Sequence, residues 1–165
     1  MPEGDDRGSR VRGEVEVMPA RLEEATAIAM LSRDIIEAGL AWVWTPRAVA
    51  REILRKDTEV IVARLEGRIV GFAAMRFLDD DAHLLLLGVV PTHQRQGLGR
   101  RILAWLEKCA RTAGIQRIQL QVRADNDHAR AFYRALGFRE VRRWRGYYQG
   151  REDAVLMIGR LGPMS

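Results

Sequence analysis

The segment PTHQRQGLGRRILAWLEKCA, residues 91–110, gathers the residue types that hold an anion. Gly97 and Gly99 let the backbone come close to a ligand and present its N–H groups. Gln94 and Gln96 add amide side chains, and Arg95, Arg100 and Arg101 add full positive charge. Helical spacing resumes at Leu98, so the glycines lead into a helix whose N-terminus carries partial positive charge. Phosphate is the ligand such a turn suits. It is not a Walker A loop, because the Lys-Ser/Thr ending is missing. It is not a dinucleotide fingerprint either, lacking the third glycine and a following acidic residue. Taken alone, the two glycines fit a tight strand-to-helix turn equally well.

Other residues could do chemistry, each with a plainer reading beside it. In VRADNDHARAFYRALGF (122–138), Asn126 stands at a helix N-cap position and Tyr133 on the inner face of the following short helix, where a core tyrosine would also sit. His83 starts the run before the loop and changes protonation near neutrality, although a lone histidine at a strand edge is more often structural. Asp79, Asp80 and Asp81 read as a solvated turn, from which one could reach the mouth of a site. Tyr147 and Tyr148 fit a pocket lining or half-buried strand packing. Trp42 and Trp44, in GLAWVWTP (39–46), offer rigid aromatic surface for a cleft wall or for a loop anchor. Cys109 is the only cysteine, so an intrachain disulfide and a cysteine-based zinc site are excluded, and its apolar neighbours mark a core thiol.

The elements that position these residues follow from period and punctuation. A short strand is expected over 15–20, ended by Pro19, then a helix over 21–40 stopped by Gly39. A second helix over 45–56 starts with Thr45 as cap and Pro46 at its first position. Residues 59–78 alternate and turn at Glu66-Gly67, as a hairpin does. AHLLLLGVV (82–90) is nearly all apolar, the mark of a strand buried on both faces. A helix from Leu98 stopped by Gly114, a strand over 117–123, a helix over 126–136 and strands near 138–146 and 153–160 complete the chain. That order predicts an α/β fold with a mixed sheet.

The 165 residues suit one domain, expected over 14–162 behind a flexible polar leader at 1–13. Hydrophobic residues make up 47% and charged residues 30%, ordinary for a soluble protein, and no apolar run nears the roughly 20 residues that cross a bilayer. The first residues lack a secretory pattern, so a cytoplasmic location without membrane attachment is expected. The net charge of +5 invites a nucleic-acid reading, but no nucleic-acid motif accompanies the clusters at Arg100-Arg101 and Arg142-Arg143-Arg145. No nucleic-acid partner is expected.

With these residues in view, the chain resembles the GNAT acetyltransferases. QRQGLG (94–99), preceded by GVVP, looks like that family's pyrophosphate loop, and VRADNDHARAFYRALGF is similar to its asparagine–helix–tyrosine segment. The tail RWRGYYQGREDAVLMIGRL (143–161) resembles the subgroup that acetylates a ribosomal protein's N-terminus. The resemblance implies a GNAT-like, mostly antiparallel sheet flanked by helices and splayed between the strands at 82–90 and 117–123. It implies acetyl-CoA as co-substrate, no metal, and direct transfer to a primary amine, with a protein N-terminus favoured over a small molecule. Dimers are common in the family, so it also admits a homodimer.

Carried over by position, the resemblance puts Gln94, Arg95, Gln96, Gly97, Leu98, Gly99 and Arg100 on the coenzyme. Asn126 falls on the pantetheine arm, and a backbone N–H at Val89 on the thioester oxygen. Tyr133 becomes the general acid that protonates the leaving thiolate. An amine must also lose a proton before it attacks, since aliphatic and α-amines are largely protonated at neutral pH. The ribosomal-protein subgroup uses a glutamate for this just before VRA.N; here Gln121 stands there, and an amide is no base. The base is therefore unassigned, with His83 one candidate. A small-molecule acceptor or a non-catalytic acyl-CoA-binding module stays open as the alternative.

Overall fold

In the computed structural model, which describes residues 14–162, the expected element order appears. The leader expected over 1–13 lies outside the described residues. The chain runs β1 (Glu16–Pro19), a 3-10 turn (Leu22–Glu24), α1 (Ala25–Ile35), α2 (Pro46–Leu54), β2 (Thr58–Leu65), β3 (Arg68–Phe77) and β4 (Asp81–Val89). A 3-10 turn (Pro91–His93) leads to α3 (Leu98–Thr112), β5 (Arg117–Arg123), α4 (Asp127–Ala135), β6 (Arg139–Tyr148) and β7 (Glu152–Arg160). No helix among the described residues is long and apolar enough to cross a membrane.

Local chemistry explains most boundaries. Thr45 Oγ1 accepts the Ala48 N–H at 3.3 Å with Pro46 next to it, the cap expected for α2. Glu66 and Gly67 have φ of +52° and +78°, which a two-residue hairpin turn requires. One boundary differs: α1 ends at Ile35, short of Gly39. The buried Glu37 carboxylate accepts the Val43 and Trp44 N–H groups at 2.7 and 3.0 Å and the Ser32 hydroxyl at 3.1 Å. It organises the α1–α2 loop around itself in place of another helical turn, and nothing in the local periodicity announces that.

The seven strands form one sheet in the order β1-β2-β3-β4-β5-β7-β6. Every neighbouring pair is antiparallel except β4 and β5, which run parallel and pair only at Asp81–Arg117, Ala82–Ile118 and His83–Gln119. Beyond those three positions the strands separate, so the sheet is split between them as the resemblance implied. Helices α3 and α4 cover one face, where Ile102, Leu103, Leu106 and Tyr133 pack on Ile118, Leu120 and Met157. Helices α1 and α2 cover the other, with Ile28, Ala29 and Val49 against Val60, Val62 and Phe72.

β4 serves both cores through a bulge. Met75 pairs with Leu84 and Ala74 with Leu86, leaving Leu85 as an extra residue. Alternation would keep residues 84 and 86 on one face, yet Leu84 belongs to the α3/α4 core and Leu86 to the α1/α2 core. The near-continuous apolar run is thus a strand that changes faces. Beyond the bulge, Gly88 makes room for the fully buried Phe72, whose ring would meet a Cβ there at 2.6 Å. Gly88→Ala should cost about 1–3 kcal/mol by overpacking. It should appear as a lower urea midpoint at unchanged m, and Phe72→Leu in the same chain should recover part of the loss.

Candidate active site

The split matters because of how the end of β4 presents its backbone. The Val90 N–H donates to the Val70 carbonyl at 2.9 Å. Opposed residues of an antiparallel ladder alternate between exchanging both bonds and none. The next pair, Gly71 and Val89, therefore exchanges none, and the Val89 N–H and C=O face the side from which β5 has diverged. The Gln94 Nε2 donates to that Val89 carbonyl at 2.9 Å. The same alternation turns the Leu87 amide into the split. Sequence reading missed Leu87, although stepping back two residues from Val89 would have found it.

The glycine loop stands at the top of this strand. Arg95 and Gly97 take φ of +63° and +78°, reversing the chain so that Gly97 starts α3 with no side chain capping it. The first bond within the helix runs from the Arg101 N–H to the Gly97 carbonyl at 3.0 Å. The Leu98, Gly99 and Arg100 amides thus form a row with no intrahelical partner. The two glycines have different reasons. Gly97 has open space around it and is required by its φ, whereas a Cβ at Gly99 would lie 3.3 Å from Phe132 and 3.8 Å from Val89. The Leu98 side chain is buried in the core, so only its backbone reaches the loop surface. Arg95, Gln96 and Arg100 are exposed around the row.

Tyr133 and Asn126 come from α4. Asn126 Oδ1 accepts the Ala129 N–H at 3.0 Å, capping the helix and leaving its Nδ2 without that duty. Tyr133 is 8% exposed, with edge contacts to Phe132 and Phe138 at ring separations of 5.1 and 5.6 Å. Burial first, and Tyr148 second, raise its hydroxyl above the ordinary tyrosine range. Burial likewise pushes Tyr148 up to about 12, with Tyr147 adding to it. Both are neutral phenols at pH 7. Burial also pushes the half-buried Cys109 thiol up, against a nucleophilic role.

On the α1/α2 face, His83 Nε2 meets Gln121 Oε1 at 2.5 Å across the foot of the split. Arg76 lies opposite His83 and pairs with Glu52 of α2 at 2.5 Å. Asp81 is committed to Arg117 at 2.9 Å. Trp42 donates from Nε1 to the Ala29 carbonyl at 3.1 Å and packs, with Trp44, on the α1/α2 core, so both anchor the loop. That loop is stitched to the far end of the chain. Gln149 accepts the Ala41 N–H at 3.0 Å and donates back to its carbonyl at 3.3 Å, and Arg123 donates to the Ile36 carbonyl at 3.0 Å. Glu37, Arg123 and Gln149 were not singled out in the sequence, and their partners are too distant for local spacing to reveal. Among the described residues, no group of three or more His, Cys, Asp or Glu side chains gathers as a metal ligand set.

The model of the Acetyltransferase (GNAT) family matches residues 28–138, from α1 through the end of α4. The chain belongs to this family. It is 42% identical over 94 residues to the [Ribosomal protein bS18]-alanine N-acetyltransferase of Escherichia coli, a match covering 55% of this chain and 64% of that protein. It is 37% identical over 110 residues to the N-alpha-acetyltransferase RimI of Mycobacterium tuberculosis, covering 64% and 68% of the two. The crystal structure of the ribosomal-protein-S18-alanine N-acetyltransferase from Escherichia coli superposes with a TM-score of 0.79 at 28% identity, over 92% of this chain and 96% of that one. The split sheet is therefore a GNAT sheet, and the loop after β4 falls inside the matched region.

The raised tyrosines give this GNAT chain an alkaline signature. An unfolded tyrosine ionises near pH 10, while Tyr148 in the folded chain holds its proton to about 12 and Tyr133 is raised as well. Above pH 10 the unfolded chain therefore binds fewer protons than the folded one, and stability must fall as pH rises. Urea melts from pH 9 to 12 should show a plateau followed by a decline. Tyr133→Phe should make the decline shallower; an equally steep decline in that variant would count against a buried phenol.

Proposed function

We propose that residues 14–162 act as one cytoplasmic acetyltransferase domain that moves an acetyl group from acetyl-CoA directly to a primary amine, with a protein N-terminus as the favoured acceptor. The observation that carries this reading is the Val89 amide turned into the split, with the Val89 side chain near Gly99 of the uncapped Leu98–Arg100 amide row. The residues fit the co-substrate. The amide row, with Arg95 and Arg100 beside it, suits a pyrophosphate. Gly99 permits close approach, and Asn126 Nδ2 is available to an amide-bearing arm.

Acetyl-CoA supplies an activated acyl group on a thiol leaving group. The backbone N–H groups of Val89 and Leu87 are fixed by the ladder on their other side, so they can polarise a carbonyl without reorganising. Tyr133 keeps its proton at neutral pH and can give it to a departing thiolate. On the opposite face, the α1–α2 loop and the Gln149 turn are tied together and form a wall where an acceptor would enter. A terminal alanine amine is the acceptor favoured by likeness to the ribosomal-protein N-acetyltransferase, while Gln121 keeps a small-molecule amine as a second reading.

Coenzyme A release should be measured across peptides with free N-terminal alanine, other N-termini, polyamines, aminoglycosides and amino acids. A peptide N-terminus should accelerate release most. Tyr133→Phe should lower kcat about 10²- to 10⁴-fold with little change in the KM for acetyl-CoA. Acetyl-CoA binding without acceleration by any amine would favour the non-catalytic reading.

A further inference from the structure

Two side chains at the foot of the split bear on the missing base. His83 is the last β4 residue paired with β5, and Gln121 lies two residues beyond its partner Gln119. Their side chains meet at 2.5 Å, His83 Nε2 to Gln121 Oε1. A carbonyl oxygen can only accept, so Nε2 carries a proton, and in the neutral form of the ring the lone pair is on Nδ1. His83 is partly buried and alternates with Ala82 and Leu84, which pack in the α3/α4 core, so its ring lies on the α1/α2 face. Gln121 alternates in the same way with Leu120 and Val122.

We infer that His83 is the base that takes the proton from the acceptor amine, and that Gln121 is the positioning residue that fixes its tautomer. This rests on the acetyltransferase reading. An ammonium N–H bond breaks and its proton passes to His83 Nδ1, leaving the nitrogen lone pair free to form the C–N bond. The C–S bond then breaks, and the thiolate takes the Tyr133 hydroxyl proton. The tetrahedral adduct sheds a second N–H proton, which restores Tyr133 through solvent, and the imidazolium releases its own proton to solvent. Nitrogen thus loses two protons, of which sulfur gains one and solvent the other. Four residues of bulged strand separate His83 from Leu87, on the order of 12 Å, so the inferred transfer runs through intervening water rather than by direct contact. Acid and base stand on opposite faces of the sheet, Tyr133 in the α3/α4 core and His83 toward α1/α2.

The charged groups facing His83 are each engaged with other partners. Arg76 lies directly across β3 and is paired with Glu52 of α2. Asp81 shares its face and is held by Arg117. From β5 come Gln119, Gln121 and Arg123, the last donating to the Ile36 carbonyl of the α1–α2 loop. Among the described residues no carboxylate hydrogen-bonds to the ring, and the neighbour at Nε2 is an amide. A neutral partner orients the imidazole and stabilises its cation less than a carboxylate would.

The test has two readouts. In kinetics at saturating acetyl-CoA, kcat/KM for the amine should rise with pH through the neutral range in the native chain. His83→Gln should lower it about 10²-fold, remove the imidazole's part of that rise while leaving the part that follows the amine's own ionisation, and leave the KM for acetyl-CoA within twofold and the melting temperature unchanged. In imidazole nitrogen NMR, with His83 assigned by its absence in His83→Gln, the native ring should be the Nε2–H tautomer. Gln121→Leu should mix the tautomers and lower kcat about tenfold at unchanged acetyl-CoA KM. Native turnover with His83→Gln within threefold of it overturns this inference alone, as does an Nδ1–H tautomer in the native chain. Absence of native turnover with every amine overturns both this inference and the acetyltransferase reading.

Discussion

β4 and β5 pair in parallel over three residues, and most of the molecule follows from where that pairing stops. A fully paired sheet would consume the amides of Leu87 and Val89 in bonds to β5 and leave nothing to address a ligand. Separation alone would leave a sheet edge open, which proteins ordinarily cover. Here the cost is limited by the cores on either face, which hold each half of the sheet to its own helices. The bulge at Leu85 lets one short strand seal both cores, and Phe72 fills the space that Gly88 leaves. The opening is thus backed by some of the most buried side chains in the chain, which keeps its amides in place.

The loop above the split depends on the same arrangement. Its amide row points outward because α3 is anchored from below by Leu98 and Ile102 in the core. Phe132 and Val89 meet at Gly99, so helix α4, strand β4 and the loop share one contact point. Gln94 closes the link by bonding the Val89 carbonyl. A side chain singled out as a ligand group therefore also braces the strand, and its two amide atoms differ in what they have left to offer. Asn126 shows the same economy, with one atom capping α4 and the other uncommitted.

What the sequence made legible was local. The hairpin at Glu66-Gly67, the Thr45 cap and the glycine loop each depend on residues within a few positions of one another, and their residue types carry the reason. The order of elements followed from periods of two and 3.6. What escaped was set at long range. Glu37 ends α1 early because it serves loop amides several residues on, and Gln149 fastens a loop more than a hundred positions away. The bulge was hidden inside LLLL, where every register looks equally apolar. Gln121 showed itself as a departure, but its partner His83 stands 38 positions earlier and only the fold brings them together.

That pairing changes what Gln121 signifies. A carboxylate at this position could take a proton by itself; an amide can only hold a neighbour. A histidine held by an amide differs from one held by a carboxylate, because the charged partner would stabilise the imidazolium and bias the ring toward already carrying its proton. A neutral partner exerts less of that bias, at the cost of weaker orientation. Placing this ring at the last paired position of β4 and β5 answers that weakness, since the backbone there is still tied to both neighbours, β3 and β5. Beyond that pair the strands diverge, and Gln121, two residues past Gln119, reaches back across the foot of the split to the ring. The rigid foot of the split is where a neutral pair can be positioned, and its open top is where a ligand has room.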